Sequence, residues 1–205
     1  MAQPSTGIDI SDRELVRKIL SGDNKAFADF IKNNQRLVFS ITYRMLNNPS
    51  DNDDICQDIF IKAYLNISKF KFDSRLSTWV ARIAYTTCIN HFQKKKISFL
   101  DDIVPRDDEN RAGEGFLNDI ADDSIEMPDE LLFVKELKSG LDDEINSLPP
   151  LFKTIICLYH QEELSYIEIA AILELPVGTV KSYLFRGRKL LKDNLVKKNK
   201  QKDFL

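Results

Sequence analysis

The chain has 205 residues, of which 30% are charged and 43% hydrophobic, and its formal net charge is −3. That balance suits folded helical modules and excludes a disordered chain, and no apolar run is long enough to span a bilayer. The charge is segregated: residues 1–99 carry a net +5, residues 100–130 a net −10, and residues 178–205 a net +7. Two basic modules separated by an acidic stretch are what a nucleic-acid binder needs, whatever the overall sign. Cys56, Cys88 and Cys157 are widely spaced with no C-x-x-C pair, which disfavours disulfide and zinc frameworks. The opening MAQPSTGIDISDRELV lacks the basic and apolar regions of an export signal, so a cytoplasmic location without membrane insertion is expected.

Along the chain, Phe27, Phe30, Ile31, Leu37, Val38, Ile41 and Met45 predict a helix over 11–48 that ends at Asn47-Asn48-Pro49. Ser50 or Asp51 can cap a second helix, about 51–68, in which Ile55, Ile59, Ala63 and Ile67 recur every fourth residue. Its opposite face carries Asp54, Gln57, Asp58 and Lys62. A polar, aromatic loop, Lys69–Ser77, leads to a helix over about 78–96 that ends in Lys94, Lys95 and Lys96. From Ser98 to Met127 periodicity disappears into Asp, Asn, Glu and Gly, the composition of a flexible tether. Pro128 precedes a helix to about Asn146, and Pro149-Pro150 opens another over Leu151–Tyr159.

The run LSYIEIAAILELPVGTVKSYLFRGRKLL, Leu164 to Leu191, then reads as a helix-turn-helix. Ser165 and Glu168 form a capping box, and Ile167, Ala170 and Leu173 repeat toward a core. Leu175-Pro176 breaks the helix. A second helix follows, with Val177, Val180 and Leu184 inward and Lys181, Ser182, Tyr183 and Arg186 outward. Such a helix fits a major groove, where Lys and Arg reach base edges or phosphates. An ordinary hairpin with a solvated charged face is the competing reading. Nothing alternates with period two, so the expected fold is all-α: two helical modules, 11–96 and 129–198, joined by a flexible acidic linker over 97–128.

Two blocks resemble a known family. DNDDICQDIFIKAYLNISKFKFDSRLSTWVARIA, Asp51 to Ala84, is similar to the D-x-x-Q-(E/D)-x-F-x-x-A helix and F-x-x-D-S-x-x-x-T-W segment of bacterial sigma factors. SLPPLFKTIICLYHQEELSYIEIAAILELPVGTVKSYLFRGRKLL, Ser147 to Leu191, is similar to their SLP…LSY-x-EIA…P-x-GTVKSR-x-x-RGR block. The resemblance is specifically to the compact extracytoplasmic-function group, which keeps only the second and fourth conserved regions.

The resemblance implies a promoter-specificity subunit of RNA polymerase, monomeric when free, whose partners are core RNA polymerase and promoter DNA. It implies polymerase contacts at Asp54, Gln57, Asp58 and Phe60, the last as an interfacial aromatic. It places recognition and melting of the minus-ten element at Lys62, Asn66, Phe70, Trp79, Thr86, Asn90, Lys94 and Lys95. Phe70, in a polar loop, suits a pocket for an unstacked base, while Trp79 suits either the core or the DNA. The minus-thirty-five element falls to Thr179, Lys181, Ser182, Tyr183, Phe185, Arg186 and Arg188. An anti-sigma factor is a common partner in this group, although no residue demands one.

Three departures bear on which bases are read. Phe72 occupies a loop position usually held by a small residue, Thr86 replaces a frequent asparagine with Asn90 one turn later, and Tyr183 replaces a common arginine. The acidic linker is a solvated tether, an imitation of nucleic-acid charge within polymerase, or an internal cover for a basic module. A stand-alone helix-turn-helix regulator is the alternative function, but it leaves the aromatic, basic first module without a role. His91 and His160 lie in different modules with no obvious acid or cysteine partner. No glycine-rich phosphate loop or metal-ligand spacing occurs, so no catalysis, cofactor or metal is expected.

Overall fold

The structure, a computed structural model, describes residues 10–46, 50–101 and 140–202. These residues form helices and no strand. Two helices, α1 (Ile10–Leu20) and α2 (Asn24–Met45), stand where one was expected over 11–48. The break sits at Gly22, whose φ of +85° would cost an L side chain about 1–2 kcal/mol. Asp23 then caps α2, its carboxylate accepting from the Lys25 and Ala26 N–H groups at 2.9 and 3.2 Å.

Helix α3 (Ser50–Asn66) runs into a 3-10 turn, Ile67–Lys69, and α4 (Leu76–Asp101) follows the aromatic loop. The Leu76 N–H donates to Asp12 Oδ2 of α1 at 2.9 Å, so α1 holds the start of α4. The four-residue period of α3 is realised: Ile55, Ile59, Ala63 and Ile67 are all buried. They meet Phe30, Val38 and Ile41 of α2 and Val80, Ala84 and Cys88 of α4 in one core. Burial pushes the Cys88 thiol up to about 12, so it packs as a small neutral group.

In the second half, residues 140–146 are helical (α5), followed by α6 (Pro150–His160), α7 (Tyr166–Leu173) and α8 (Val177–Lys202). The expected start of α5 at Pro128 and the acidic linker lie outside the described residues. Pro150 opens α6, where a missing N–H costs nothing. Ile155, Leu158, Ile169, Ile172, Val180 and Leu184 fill this part of the core. Gly187 lets α8 approach α6: a Cβ there would stand 3.1 Å from Ile156 Cδ1. One expectation fails, because Ile167 is 55% exposed while Ile169 and Ile172 point inward. Val177 sits at the rim rather than inside.

The two halves pack on each other, α6 against α2 and α7 against α4. Among the described residues no helix is long and apolar enough to cross a membrane. Ile59 is fully buried and Ile61 is 57% exposed on the same helix. Denaturant unfolding should therefore show Ile59→Ala losing about 2–5 kcal/mol of stability. Ile61→Ala should stay within about 0.5 kcal/mol of the parent.

Candidate partner and nucleic-acid interfaces

Because α3 turns its four-residue period inward, its outer face is determined. Asp54, Gln57 and Asp58 are exposed there, and Ile61 and Leu65 continue the same stripe one and two turns on. Leu65 is 68% exposed and Tyr64 beside it is also open to solvent. Ile61, Tyr64 and Leu65 form an exposed apolar cluster at one end of the helix, with the Tyr64 ring edge-on to Phe27 at 4.8 Å. Phe60, expected as an interfacial aromatic, is 9% exposed, stands edge-on to Phe30 with ring centroids 6.0 Å apart, and reaches the floor of the adjacent groove. No expectation fell on Ile61, Tyr64 and Leu65, although the 55/59/63/67 period already implied that they point outward.

Next to this stripe lies a cavity of about 1260 Å³. Phe27, Ile31, Phe39, Tyr43 and Phe60 line its apolar floor, and Gln57, Asp53, Arg36 and Arg44 stand at its polar margins. The groove is wide and mostly apolar, which suits a packed helix from a partner.

Around the aromatic loop, Lys62 and Asn66 lie at the exposed end of α3. The Lys62 ammonium donates to Thr87 Oγ1 at 3.3 Å, tying α3 to α4, and the Asn66 amide donates to the Lys62 carbonyl at 2.9 Å. Phe70 is not open to solvent. It is buried between Phe72 and Trp79, with ring centroids 4.6 and 5.3 Å away. An aromatic in a polar loop had read as free to stack a base, but its two neighbours draw it into a small core. Trp79 is half-buried in the same cluster. Phe72 adopts φ +60°, a strained conformation for a bulky residue, and the Arg13 guanidinium lies 5.0 Å over its ring. Thr86 and Asn90 are exposed one turn apart on α4, although the Thr86 hydroxyl donates to the Arg82 carbonyl. Lys94 and Lys95 belong to α4, but their side chains lie outside the described residues.

The helix-turn-helix forms as its residues dictate. The Glu168 N–H donates to Ser165 Oγ at 3.3 Å and the Ser165 N–H to Glu168 Oε2 at 2.9 Å, a complete capping box. Glu174 takes the left-handed conformation, φ +55°, to end α7. On α8, Lys181, Ser182, Phe185 and Arg186 are exposed, Phe185 at 70%. Lys181 also lies over the Tyr166 ring at 5.5 Å, and Ser182 donates to the Gly178 carbonyl at 3.0 Å. Thr179 is half-buried at the start of the helix. Tyr183 turns inward, edge-on to Phe152 at 5.8 Å. It also approaches α4: burial, then the charges of Glu174 and Tyr183, push the Tyr85 phenol up.

Arg188 is pinned. Its guanidinium donates to His160 Nε2 through Nε at 3.1 Å and lies 5.0 Å over the Tyr159 ring. Burial first, and the Arg188 charge second, push the His160 imidazole below its ordinary value. A neutral ring is what Arg188 needs as acceptor.

The comparisons agree with this arrangement. Residues 30–97 match the family model "Sigma-70 region 2", and residues 139–191 match "Sigma-70, region 4". The chain is 35% identical over 183 residues to the ECF RNA polymerase sigma factor SigW of Bacillus subtilis (strain 168), covering 89% of this chain and 96% of that protein. It is 36% identical over 189 residues to the ECF RNA polymerase sigma-E factor of Escherichia coli (strain K12), covering 91% and 95% respectively. The structure of the sigma factor RpoE in complex with the anti-sigma factor NepR, from Bartonella quintana, overlays with a TM-score of 0.63 at 19% identity. It covers 83% of this chain and 97% of RpoE. A stand-alone regulator would not carry both regions, and nothing supports that alternative.

The pinning of Arg188 carries a pH prediction. A lowered imidazole favours the fold above its ordinary pKa, and that contribution is lost as pH falls through the lowered value. The thermal midpoint should therefore drop on acidification below about pH 6.5. His160→Gln, which keeps an acceptor but does not titrate, should flatten part of that drop, and an identical acid dependence would refute the assignment.

With its helix-turn-helix, both conserved regions and relatives matched over nearly their whole length, this chain belongs to the extracytoplasmic-function group of sigma-70 factors and directs promoter-specific transcription initiation.

Proposed function

We propose that the chain docks on core RNA polymerase through the outer face of α3, with Ile61, Tyr64 and Leu65 as apolar anchors flanked by Asp54, Gln57 and Asp58. The observation that carries this reading is the exposure of those three apolar residues beside the groove between α2 and α3. Buried aromatic and aliphatic anchors supply most interface energy, and surrounding charges set orientation and encounter rate. Phe60, on the floor of that groove, meets the partner from within it rather than from the outer stripe. The same groove suits an anti-sigma factor, which would compete with polymerase for it.

Promoter contacts divide between two modules, about 11–96 and 129–198. In the first, Lys62, Lys94 and Lys95 meet phosphates, while Asn66, Thr86 and Asn90 line the strip that reads the minus-ten element. A base leaving the stack meets the aromatic cluster at its half-open member, Trp79, with Phe70 and Phe72 as the wall behind it. In the second, α8 enters the major groove. Lys181 and Arg186 reach phosphate or base edges, and Thr179, Ser182 and Phe185 contact base edges, Phe185 being suited to a thymine methyl. Tyr183 and Arg188 shape the helix surface from its flanks. The protein works in the cytoplasm, where the polymerase is, and catalyses no bond change itself.

Binding to immobilised core polymerase, followed by run-off transcription, tests the assignment. Ile61→Ala combined with Leu65→Ala should weaken core binding at least about tenfold, some 1.4 kcal/mol. Phe185→Ala should leave core binding intact while reducing transcription from promoters that depend on the minus-thirty-five element. No association of the unaltered chain with core polymerase would refute the docking surface and the function built on it.

A further inference from the structure

Two consecutive residues of α1 hold the aromatic loop from outside it. Val16 and Ile19 are buried and pin α1 to the first core. Asp12 lies one turn before Val16 on the same face, and its Oδ2 accepts the Leu76 N–H at 2.9 Å. That N–H belongs to the first turn of α4, where no partner exists within the helix, so the carboxylate fastens the loop at its exit. Arg13, the next residue, points about 100° further round α1 and reaches a different part of the loop. Its guanidinium carbon lies 5.0 Å from the centre of the Phe72 ring. At the loop's entry the Phe70 N–H donates to the Ile67 carbonyl at 3.1 Å, closing the 3-10 turn. Entry, middle and exit are all fastened, and the middle and exit are both held by α1.

The middle is where the loop is strained. Phe72 has φ +60°, and a bulky residue stays in that region only when surrounding contacts over-determine it. Two contacts do so here: the Arg13 cation over the ring, and the Phe70 ring 4.6 Å away. Phe70 in turn stands 5.3 Å from Trp79. Arg13, Phe72, Phe70 and Trp79 therefore form one chain of contacts, from an exposed cation on α1 to the half-open member of the aromatic cluster. Because Val16 and Ile19 anchor α1 without it, Arg13 is not needed to hold the helix in place.

We infer that Arg13 is a positioning residue for the minus-ten base pocket: by clamping the Phe72 ring it fixes the wall against which an unstacked base is selected. This rests on the promoter-reading function proposed above and adds the residue that sets the shape of its pocket. A pocket discriminates by fit, and fit requires a wall that does not move. Without the clamp, Phe72 is free to relax to negative φ and its ring to leave Phe70. Wrong bases then fit nearly as well as the right one.

The test is transcription by core polymerase carrying the full chain, on a promoter library in which each position of the minus-ten element holds all four bases in turn. Selectivity at a position is the ratio of transcripts from the favoured base to those from the others. Phe72→Gly removes the ring and tolerates positive φ, so it should erase selectivity at one position and locate the pocket. Arg13→Ala should lower selectivity at that same position at least about threefold, in line with the strength of an exposed cation–π contact. The other positions and the binding of core polymerase should stay as in the parent. Arg13→Lys keeps a cation without the planar stack and should retain part of the selectivity. In the Phe72→Gly background Arg13→Ala should change nothing further, since the clamp has nothing left to hold.

A residue that only stabilised the fold would lower transcripts from every library member alike. Parental selectivity in Arg13→Ala, a loss spread evenly over all positions, or the same loss in the Phe72→Gly background overturns the clamp. Should Phe72→Gly not fold, the Arg13→Ala and Arg13→Lys profiles decide alone: a loss confined to one position and eased by lysine supports the clamp, and any other pattern overturns it. If a folded Phe72→Gly keeps every base preference, the aromatic cluster is not the pocket and the clamp falls with it. If the unaltered chain initiates on no member of the library, the sigma function itself fails.

Discussion

Arg44 is the constraint on which the arrangement of the two halves turns. One face of α2 fills the first core with Phe30, Val38 and Ile41, and the other presents Ser40 and Arg44 to the second half. The Arg44 side chain is only 6% exposed, and burial alone would depress its guanidinium. The hydrogen bond to Asp142 and the charge of that carboxylate oppose the burial, holding the guanidinium above its ordinary value. Because the Asp142 side chain is 37% exposed, water screens the pair, and removing one partner costs less than it would in a fully buried pair. Lys153 of α6 is a second buried cation at this boundary, its ammonium pushed down by burial and then by Arg44. Ordinary cores do not concentrate cations in this way.

Much of each half was legible because it follows from short-range chemistry. The four-residue period of α3 located its core face and, by subtraction, its exposed face. Ser165 and Glu168 announced the start of α7 as three-residue partners, and Pro176 announced its end. The failures share a cause. The Gly22–Asp23 break was invisible because apolar residues on either side keep helical spacing across it. Ile167 was misplaced because an eight-residue helix offers barely two turns, too few to tell 167/170/173 from 169/172/173. Phe60 and Ile61 show how a shift of 100° on a helix separates a side chain at 9% exposure from one at 57%.

Other features depend on contacts that no local pattern contains. Phe70 is buried by Phe72 and Trp79 only because the loop doubles back, with Phe72 held in the left-handed region beneath Arg13. Tyr183 turns inward because Phe152 offers it an edge. Arg44 and Asp142 are separated by 98 positions along the chain. Segregation of charge was evident from composition, but it concerned whole segments. The finer polarity, bases on α2 and α4 facing acids on α5–α7, emerges only when the helices are assembled. The net charge of −3 therefore describes neither the promoter-reading surfaces nor that boundary.

A dye on the exposed face of α8 would report docking of the chain on core polymerase by fluorescence anisotropy. Saturating core polymerase should raise the anisotropy before any DNA is added, and Ile61→Ala combined with Leu65→Ala should move that rise to higher polymerase concentration. A signal that core polymerase leaves unchanged, or a double variant that titrates like the parent, would contradict the account.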